Sequence, residues 1–296
     1  MPTTDVTVVV PTHSRPASLT RLLAGLVDQV GDALSCEVVV VDNDGSGAAA
    51  AVVGMPAFRS LHARVVAEAT PGAAAARNRG IDAAEGALIA FLDDDVTPEE
   101  GWLAGLTAPL IEGAAGAGGR VLLDPDVAIP RWVGDGLRPY LAEHDLGATP
   151  RRLAAGEYVL SANAAFRRDV LLEVGGFDER LGPRKRAALF NDDVDLSARV
   201  REVGELRWAP SAVVVHEVRP ERITPRYLLR RQFDQGRSDA LLHRGRVAEG
   251  ISFAFARAAR TAWPSVARGL YRPGSAFAIA GEAARAAGFV VERIRA

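Results

Sequence analysis

Hydrophobic positions along the first hundred residues fall into two kinds of run. Short apolar stretches occur at 6–10, 37–41, 63–67 and 87–92, the first two nearly continuous runs of valine, the pattern of strands covered on both faces in a parallel sheet. Longer Ala/Leu-rich segments separate them. Residues 18–30 place Leu19, Leu22, Leu23, Leu26 and Val30 at helical spacing, and 72–84 reads as a second helix. Three of the strands run into polar turns: Pro11-Thr12-His13-Ser14-Arg15-Pro16, Asp42-Asn43-Asp44-Gly45 and Asp93-Asp94-Asp95. Ligands of open α/β sheets bind beyond the carboxyl ends of parallel strands, so these turns predict one cleft.

The order changes after Gly118. A strand over 120–123 leads into a Pro-, Gly- and Arg-containing stretch to about Gly156, read as an irregular excursion or lid. There follow a strand over 158–166, a short helix over 168–174, a Gly175-Gly176-Phe177 turn and a helix capped by Asn191 that runs to Val203. A short strand over 212–215 ends at His216. From Thr224 the pattern is helical and arginine-rich, with breaks at Pro264 and Pro273.

At 296 residues, 48% apolar and 24% charged, the chain is globular in composition and long for one domain. The change in pattern divides it into 1–218, an α/β domain, and 219–296, a helical extension. Charge is nearly balanced, 35 basic against 37 acidic residues for a net −2, which gives no case for bulk attraction to nucleic acid. A single cysteine, Cys36, excludes an internal disulfide framework and a multi-cysteine zinc site. The first residues carry no basic segment followed by an apolar stretch, and 276–291 is interrupted by Glu282 and Arg285. The expectation is a cytoplasmic protein, soluble or peripheral at the inner face of the membrane. Phe253, Phe255, Trp263 and Tyr271 among arginines suit a surface that touches lipid headgroups or a partner, and equally suit helices packed on the core.

The Asp93-Asp94-Asp95 triplet brings mutually repelling carboxylates to the end of an apolar strand, a cost that a bound cation offsets. Mg2+ or Mn2+ joins one or two carboxylates to substrate phosphates and keeps water for the rest of its shell. A solvated turn is the simpler explanation of the triplet alone.

Five strings in order change that balance: Val8-Val9-Val10-Pro11-Thr12, Val40-Val41-Asp42-Asn43, Ala76-Arg77-Asn78-Arg79-Gly80, Phe91-Leu92-Asp93-Asp94-Asp95 and Asn191-Asp192-Asp193-Val194-Asp195-Leu196. Together they resemble the family-two inverting glycosyltransferases of the GT-A fold, over about 6–216. The resemblance implies a Rossmann-like mixed sheet flanked by helices, and a transferase that moves a hexosyl or N-acetylhexosaminyl group from a nucleotide-diphosphate donor. Carried over by position, Pro11 and Thr12 line the nucleoside pocket, and Arg15 and Arg77 reach the nucleotide. Asp42 accepts a hydrogen bond from the base. A carboxylate there suits an imide N–H, which favours uracil or thymine, and the donor expected is a UDP-sugar. Asp93 lies on the ribose side with Asp94 beside it, while Asp95 and His216 hold the metal. Asp193 is the base that takes the acceptor proton, and Asp192 positions the acceptor where the family has Glu. Asn163 bonds a sugar hydroxyl or satisfies neighbouring backbone. The acceptor, whether small molecule, glycan or lipid-linked, is left open. Two rivals remain: a nucleotidyltransferase, which here lacks a Gly-rich, lysine-containing triphosphate loop, and a non-catalytic nucleotide-sugar-binding scaffold.

Overall fold

The structure, a computed structural model, describes residues 4–29, 35–184, 187–188, 190–242 and 275–295. Val30, Pro264, Pro273 and the aromatic residues at 253, 255, 263 and 271 lie outside them. The chain divides into two compact units.

The first unit comprises Met1–Leu122, His144–Arg180 and Asp192–Glu217. Its parallel part contains β1 (Val6–Thr12), β2 (Cys36–Asp42), β3 (Ala63–Ala67) and β4 (Leu88–Leu92). β1 lies between β2 and β4, and β3 flanks β2. Successive valines of β1 and β2 point to opposite faces, and both faces are covered. Val8, Val10, Val38 and Val40 pack with Leu19, Leu22, Leu23 and Leu26 of α1 (Pro16–Val27). Val9, Val39 and Val41 pack with Ala74, Ala76 and Ile81 of α3 (Ala73–Ala83), the second helix after the short α2 (Ala48–Val53). Gly80 lets α3 approach β1 closely, since a Cβ there would stand 2.2 Å from Val9 Cγ1.

The antiparallel part differs more from expectation. β5 (Val96–Pro98) and α4 (Trp102–Ile111) follow the Asp triplet, and neither is marked by the periodicity. β6 (Gly116–Leu123) starts earlier than expected and β8 (Asn163–Arg167) later, after the two-residue β7 (Arg151–Arg152). α5 (Arg168–Val174) and α6 (Asp192–Val203) fall where expected. After the two-residue strands β9 (Pro183–Arg184) and β10 (Ala187–Ala188), the last strand, β11, runs over Leu206–His216, far longer than 212–215. Pro210 and Ser211 interrupt its apolar run without ending it. The sheet order is β3-β2-β1-β4-β8-β6-β11-β5, with β7 beside β11. β8 runs antiparallel to β4 and β6.

The second unit comprises Leu123–Glu143, Leu181–Asn191 and Val218–Ala296. Within it α7 (Pro225–Leu242) packs on α8 (Ser275–Arg295). Arg285 pairs with Asp239 and donates to the Tyr140 hydroxyl at 3.0 Å, and Arg237 pairs with Glu292 at 2.7 Å. Arg226 and Arg230 are exposed. Asn191, expected as a helix cap, instead bonds Asp239 and Gln235 through its side chain. No described helix is long and apolar enough to cross a membrane.

Candidate active site

Two arginine-centred clusters form at the carboxyl end of the parallel strands, and both lie within the first unit. The first begins where β1 stops. Thr12, its last residue, donates from Oγ1 to Asp94 Oδ2 at 2.7 Å. Arg15, placed just before Pro16 opens α1, donates from Nη1 to Asp94 Oδ1 at 2.8 Å and to Asp95 Oδ2 at 2.7 Å. Asp94 is thus buried and held from two sides. Burial raises its proton affinity, and the Arg15 charge works in the opposite direction. β11 supplies the remaining group. Its antiparallel register with β5 sets His216 opposite Val96, next to Asp95, and Glu217 N–H donates to the Asp95 carbonyl at 2.9 Å. His216 Nε2 consequently faces Asp95 Oδ1 at 3.6 Å, beyond hydrogen-bond distance.

The second cluster centres on Arg77 of α3. Its Nη2 donates to Asp93 Oδ1 at 2.7 Å, and its Nη1 to Asp192 Oδ2 at 3.0 Å. Arg77 was expected to reach the nucleotide, but both terminal nitrogens are directed to carboxylates. The guanidinium is buried, which disfavours its charge, yet Asp93 and then Asp192 more than offset this. Its carbon lies 5.4 Å from the centre of the Phe177 ring, which also meets Phe91 edge-on at 5.3 Å. Phe177 is fixed in turn by Asn78. Its N–H donates to Asn78 Oδ1 at 2.8 Å, and Asn78 Nδ2 donates to the Phe177 carbonyl at 2.9 Å. The Gly175-Gly176 turn before it takes positive φ at both residues, and a Cβ on Gly176 would come within 2.6 Å of Asn78 Oδ1.

Asp192 and Asp193 open α6, where the helix dipole favours negative charge. Asp193 Oδ1 accepts from Ser161 N–H at 3.1 Å. Burial and then the adjacent Asp192 carboxylate push Asp193 up to about 7, with Arg77 acting against the rise. Asp192 also rises through burial, opposed chiefly by Arg77.

Asp42 ends β2 directly beside Thr12. Its Oδ1 accepts the N–H groups of Asp44 and Gly45, each at 3.0 Å, and Oδ2 makes no hydrogen bond among the described residues. Pro11 lies beside Val41 in the same register. Of the two roles expected for Asn163, the structure shows the one that satisfies neighbouring backbone. The residue is fully buried, its Oδ1 accepts from Trp102 Nε1 at 2.8 Å, and its Nδ2 donates to the carbonyls of Arg120 and Ala212 at 2.8 and 2.9 Å. The amide ties α4, β6 and β11 together and has no donor left for a sugar.

The donor set suits a divalent cation. Asp95 Oδ1 and His216 Nε2 face one another, and His216 Nδ1 is buried without a hydrogen-bond partner among the described residues. Among the described residues no group of three His, Cys, Asp or Glu side chains is assembled there. One carboxylate and one imidazole therefore fit an ion that takes its other ligands from phosphate and water. Ser161, whose N–H meets Asp193, and Phe177, which lies against Arg77, were not singled out by motif chemistry. The aromatic residue after two glycines was the only sequence sign of the latter.

Comparison with known proteins bears on the family and the fold. Residues 7–175, more than half of the chain, match the model of the glycosyl transferase family 2. A pre-mycofactocin glycosyltransferase of Mycobacterium tuberculosis is 35% identical over 234 residues, 73% of this chain and 43% of that protein. The chain therefore spans less than half the length of this relative. Among solved structures, the mannosyltransferase PcManGT from Pyrobaculum calidifontis, in complex with GDP-Man and Mn2+, superposes with a TM-score of 0.65 at 21% identity, covering 99% of this chain and 88% of that one. GalNAc-T7 with UDP, GalNAc and Mn2+ superposes with a TM-score of 0.56 at 16% identity, covering 77% and 47%. These likenesses establish the GT-A fold. By its sequence the chain belongs to glycosyl transferase family 2.

Proposed function

We propose that the chain is a metal-dependent inverting glycosyltransferase that uses a UDP-sugar, with residues 1–218 carrying the chemistry and 219–296 an appended helical extension. The observation that carries this reading is the state of Asp193. A half-buried carboxylate at a helix start, held by one backbone N–H and pushed up to about 7, is matched to proton transfer near neutral pH. Asp193 takes the proton of an acceptor hydroxyl as that oxygen attacks the anomeric carbon. The bond from that carbon to the diphosphate breaks on the opposite face, and the nucleoside diphosphate leaves with the electron pair. Arg15 offers a cationic counterpart for the departing charge, and Thr12 holds Asp94 in place beside it. Asp95 and His216 would hold Mg2+ or Mn2+, whose chemistry is Lewis-acid neutralisation of the leaving diphosphate.

The second oxygen of Asp42 supports recognition of an N–H on the base, which uracil supplies at its imide. Guanine also offers ring and amino N–H groups, and GDP-Man is the ligand of PcManGT. A thermal-shift series with UDP, GDP, UDP-sugars and GDP-mannose, each with and without Mn2+, distinguishes the two donors. The catalytic assignment is tested by Asp193→Asn. The amide keeps the Ser161 contact but cannot accept the proton, so turnover measured as nucleotide release should fall about 10²–10⁴-fold with nucleotide affinity unchanged. Wild-type kcat/KM should rise with pH through about 7 as Asp193 loses its proton. Full turnover in Asp193→Asn would refute the assignment.

A further inference from the structure

Two adjacent carboxylates stand at the start of α6, and nothing in their residue type says which of them takes a proton. The difference lies in what faces each. Asp192 Oδ2 receives a charged hydrogen bond from Arg77 Nη1 at 3.0 Å, and both side chains are buried, each 6% exposed. Among the described residues Asp193 receives only the neutral Ser161 N–H. The groups that act on Asp193 are Asp192 on its own helix, Arg77 from α3, Asp93 from the end of β4 and Ser161 before β8. We propose that Arg77 is a positioning residue that selects Asp193, rather than Asp192, as the proton-accepting member of the pair.

Three observations support the selection. Arg77 is itself immobilised: Asp93 holds its second terminal nitrogen, and the Phe177 ring lies 5.4 Å from the guanidinium carbon. The planar fork donates to Asp93 and Asp192 at once, a geometry that a lysine ammonium does not reproduce. The charge is also applied unequally. An ion pair favours the ionised form of the carboxylate it touches, and an ionised Asp192 then opposes ionisation of its neighbour. Arg77 thereby works against the rise that burial imposes on Asp192 and biases the pair toward an anionic Asp192, which leaves Asp193 as the member that takes the proton.

The inference rests on Asp193 being the base, but its test needs no substrate. Carboxyl 13C NMR of aspartate-labelled full-length protein reads the two residues separately, with Asp192→Asn and Asp193→Asn serving to assign the signals. In the wild type the step near neutral pH should belong to Asp193, with Asp192 ionised throughout that range. In Arg77→Lys the fork is lost, and the near-neutral step should be shared by both residues or pass to Asp192, with the midpoint of the pair moving by about one unit or more. Arg77→Ala should displace it further, and Arg77→Lys is the variant to rely on if the alanine form does not fold. UDP affinity by calorimetry should change less than twofold in Arg77→Lys. A near-neutral step that stays on Asp193, unshifted, in a folded Arg77→Lys protein would overturn the proposal. So would a large loss of UDP affinity with that step intact, which would make Arg77 a nucleotide contact. If the NMR result holds while Asp193→Asn keeps its turnover, the selection stands and the base assignment falls.

Discussion

Arg15 and Arg77 each join two carboxylates, and the two clusters lie within one unit of the molecule, yet their surroundings differ. The Arg77 side chain is 6% exposed and is hemmed by Phe177 and Asn78's turn. The Arg15 side chain is 29% exposed, although its partners Asp94 and Asp95 are as buried as Asp192. An enclosed arginine cannot leave its partners without stranding charges in a medium that solvates them poorly. A half-exposed one can exchange a carboxylate for a phosphate oxygen while water or a cation takes its place. The comparison separates a fixed frame around Asp192 from an exchangeable counter-charge around Asp95.

The largest effect should come from removing the frame. Arg77→Ala leaves Asp93 and Asp192 without their shared cation, and the loss of one partner from a buried pair costs about 3–5 kcal/mol. Urea unfolding at pH 7 should show that loss, and it should shrink at pH 4, where the carboxylates take up protons. Added Mn2+ should restore none of it, because the gap is enclosed. A loss no greater than that of Arg15→Ala would remove the distinction between the clusters.

An intermediate effect, of opposite sign, is expected at Asp193. Its proton affinity is higher in the folded chain than in the unfolded one, so between the ordinary carboxylate range and about 7 the folded state holds more protons. Stability from this group is therefore full at low pH and is lost as pH rises through about 7. Asp193→Asn removes that loss. Its Tm should equal the wild type's below about pH 4, where both folded and unfolded chains hold this proton, and exceed it by several degrees at pH 8, about 2–4 °C for each kcal/mol recovered. Equal Tm values at pH 8 would show that Asp193 is not held protonated by its surroundings. A gain in stability accompanied by a loss of turnover is the pattern of a group kept for chemistry.

How legible these clusters were in the sequence differs in the same way as the sheet. β1 and β2 carry continuous valine runs and β4 a continuous apolar run, each closed by a polar turn, so these strands and the placing of Thr12, Asp42 and Asp93 at one edge followed from period and punctuation. His216 depended on register. Only the pairing of β11 with β5 sets it against Asp95, and a β11 interrupted by Pro210 and Ser211 was read too short. Asn163 was legible only as an alternative. A polar residue in an apolar string near the cleft suits a ligand contact or a satisfied core amide equally, and the choice rests on α4, which supplies Trp102 to saturate it but has a nearly uniform apolar sequence with Pro109 inside and no clear helical face. Arg77 was recognised as a site residue, yet its partners were not legible, because Asp192 lies 115 residues away and meets it only through the fold.

The smallest stability change should come from Arg15→Ala. The exposed side of the guanidinium already exchanges with solvent, and Asp94 keeps its Thr12 hydrogen bond, so the loss should be about 1–2 kcal/mol. The sharper readout is what a cation does. If Asp95 and His216 accept Mn2+, removing the competing Arg15 charge should let the ion bind more tightly in the absence of nucleotide, and Mn2+ should restore most of the lost Tm. UDP affinity should fall even so, because Arg15 no longer faces the diphosphate. Asp95→Ala combined with Arg15→Ala should abolish the Mn2+ effect. Calorimetry showing Mn2+ affinity unchanged in Arg15→Ala would mean that Arg15 does not compete at Asp95, and would place both arginines in the fixed frame.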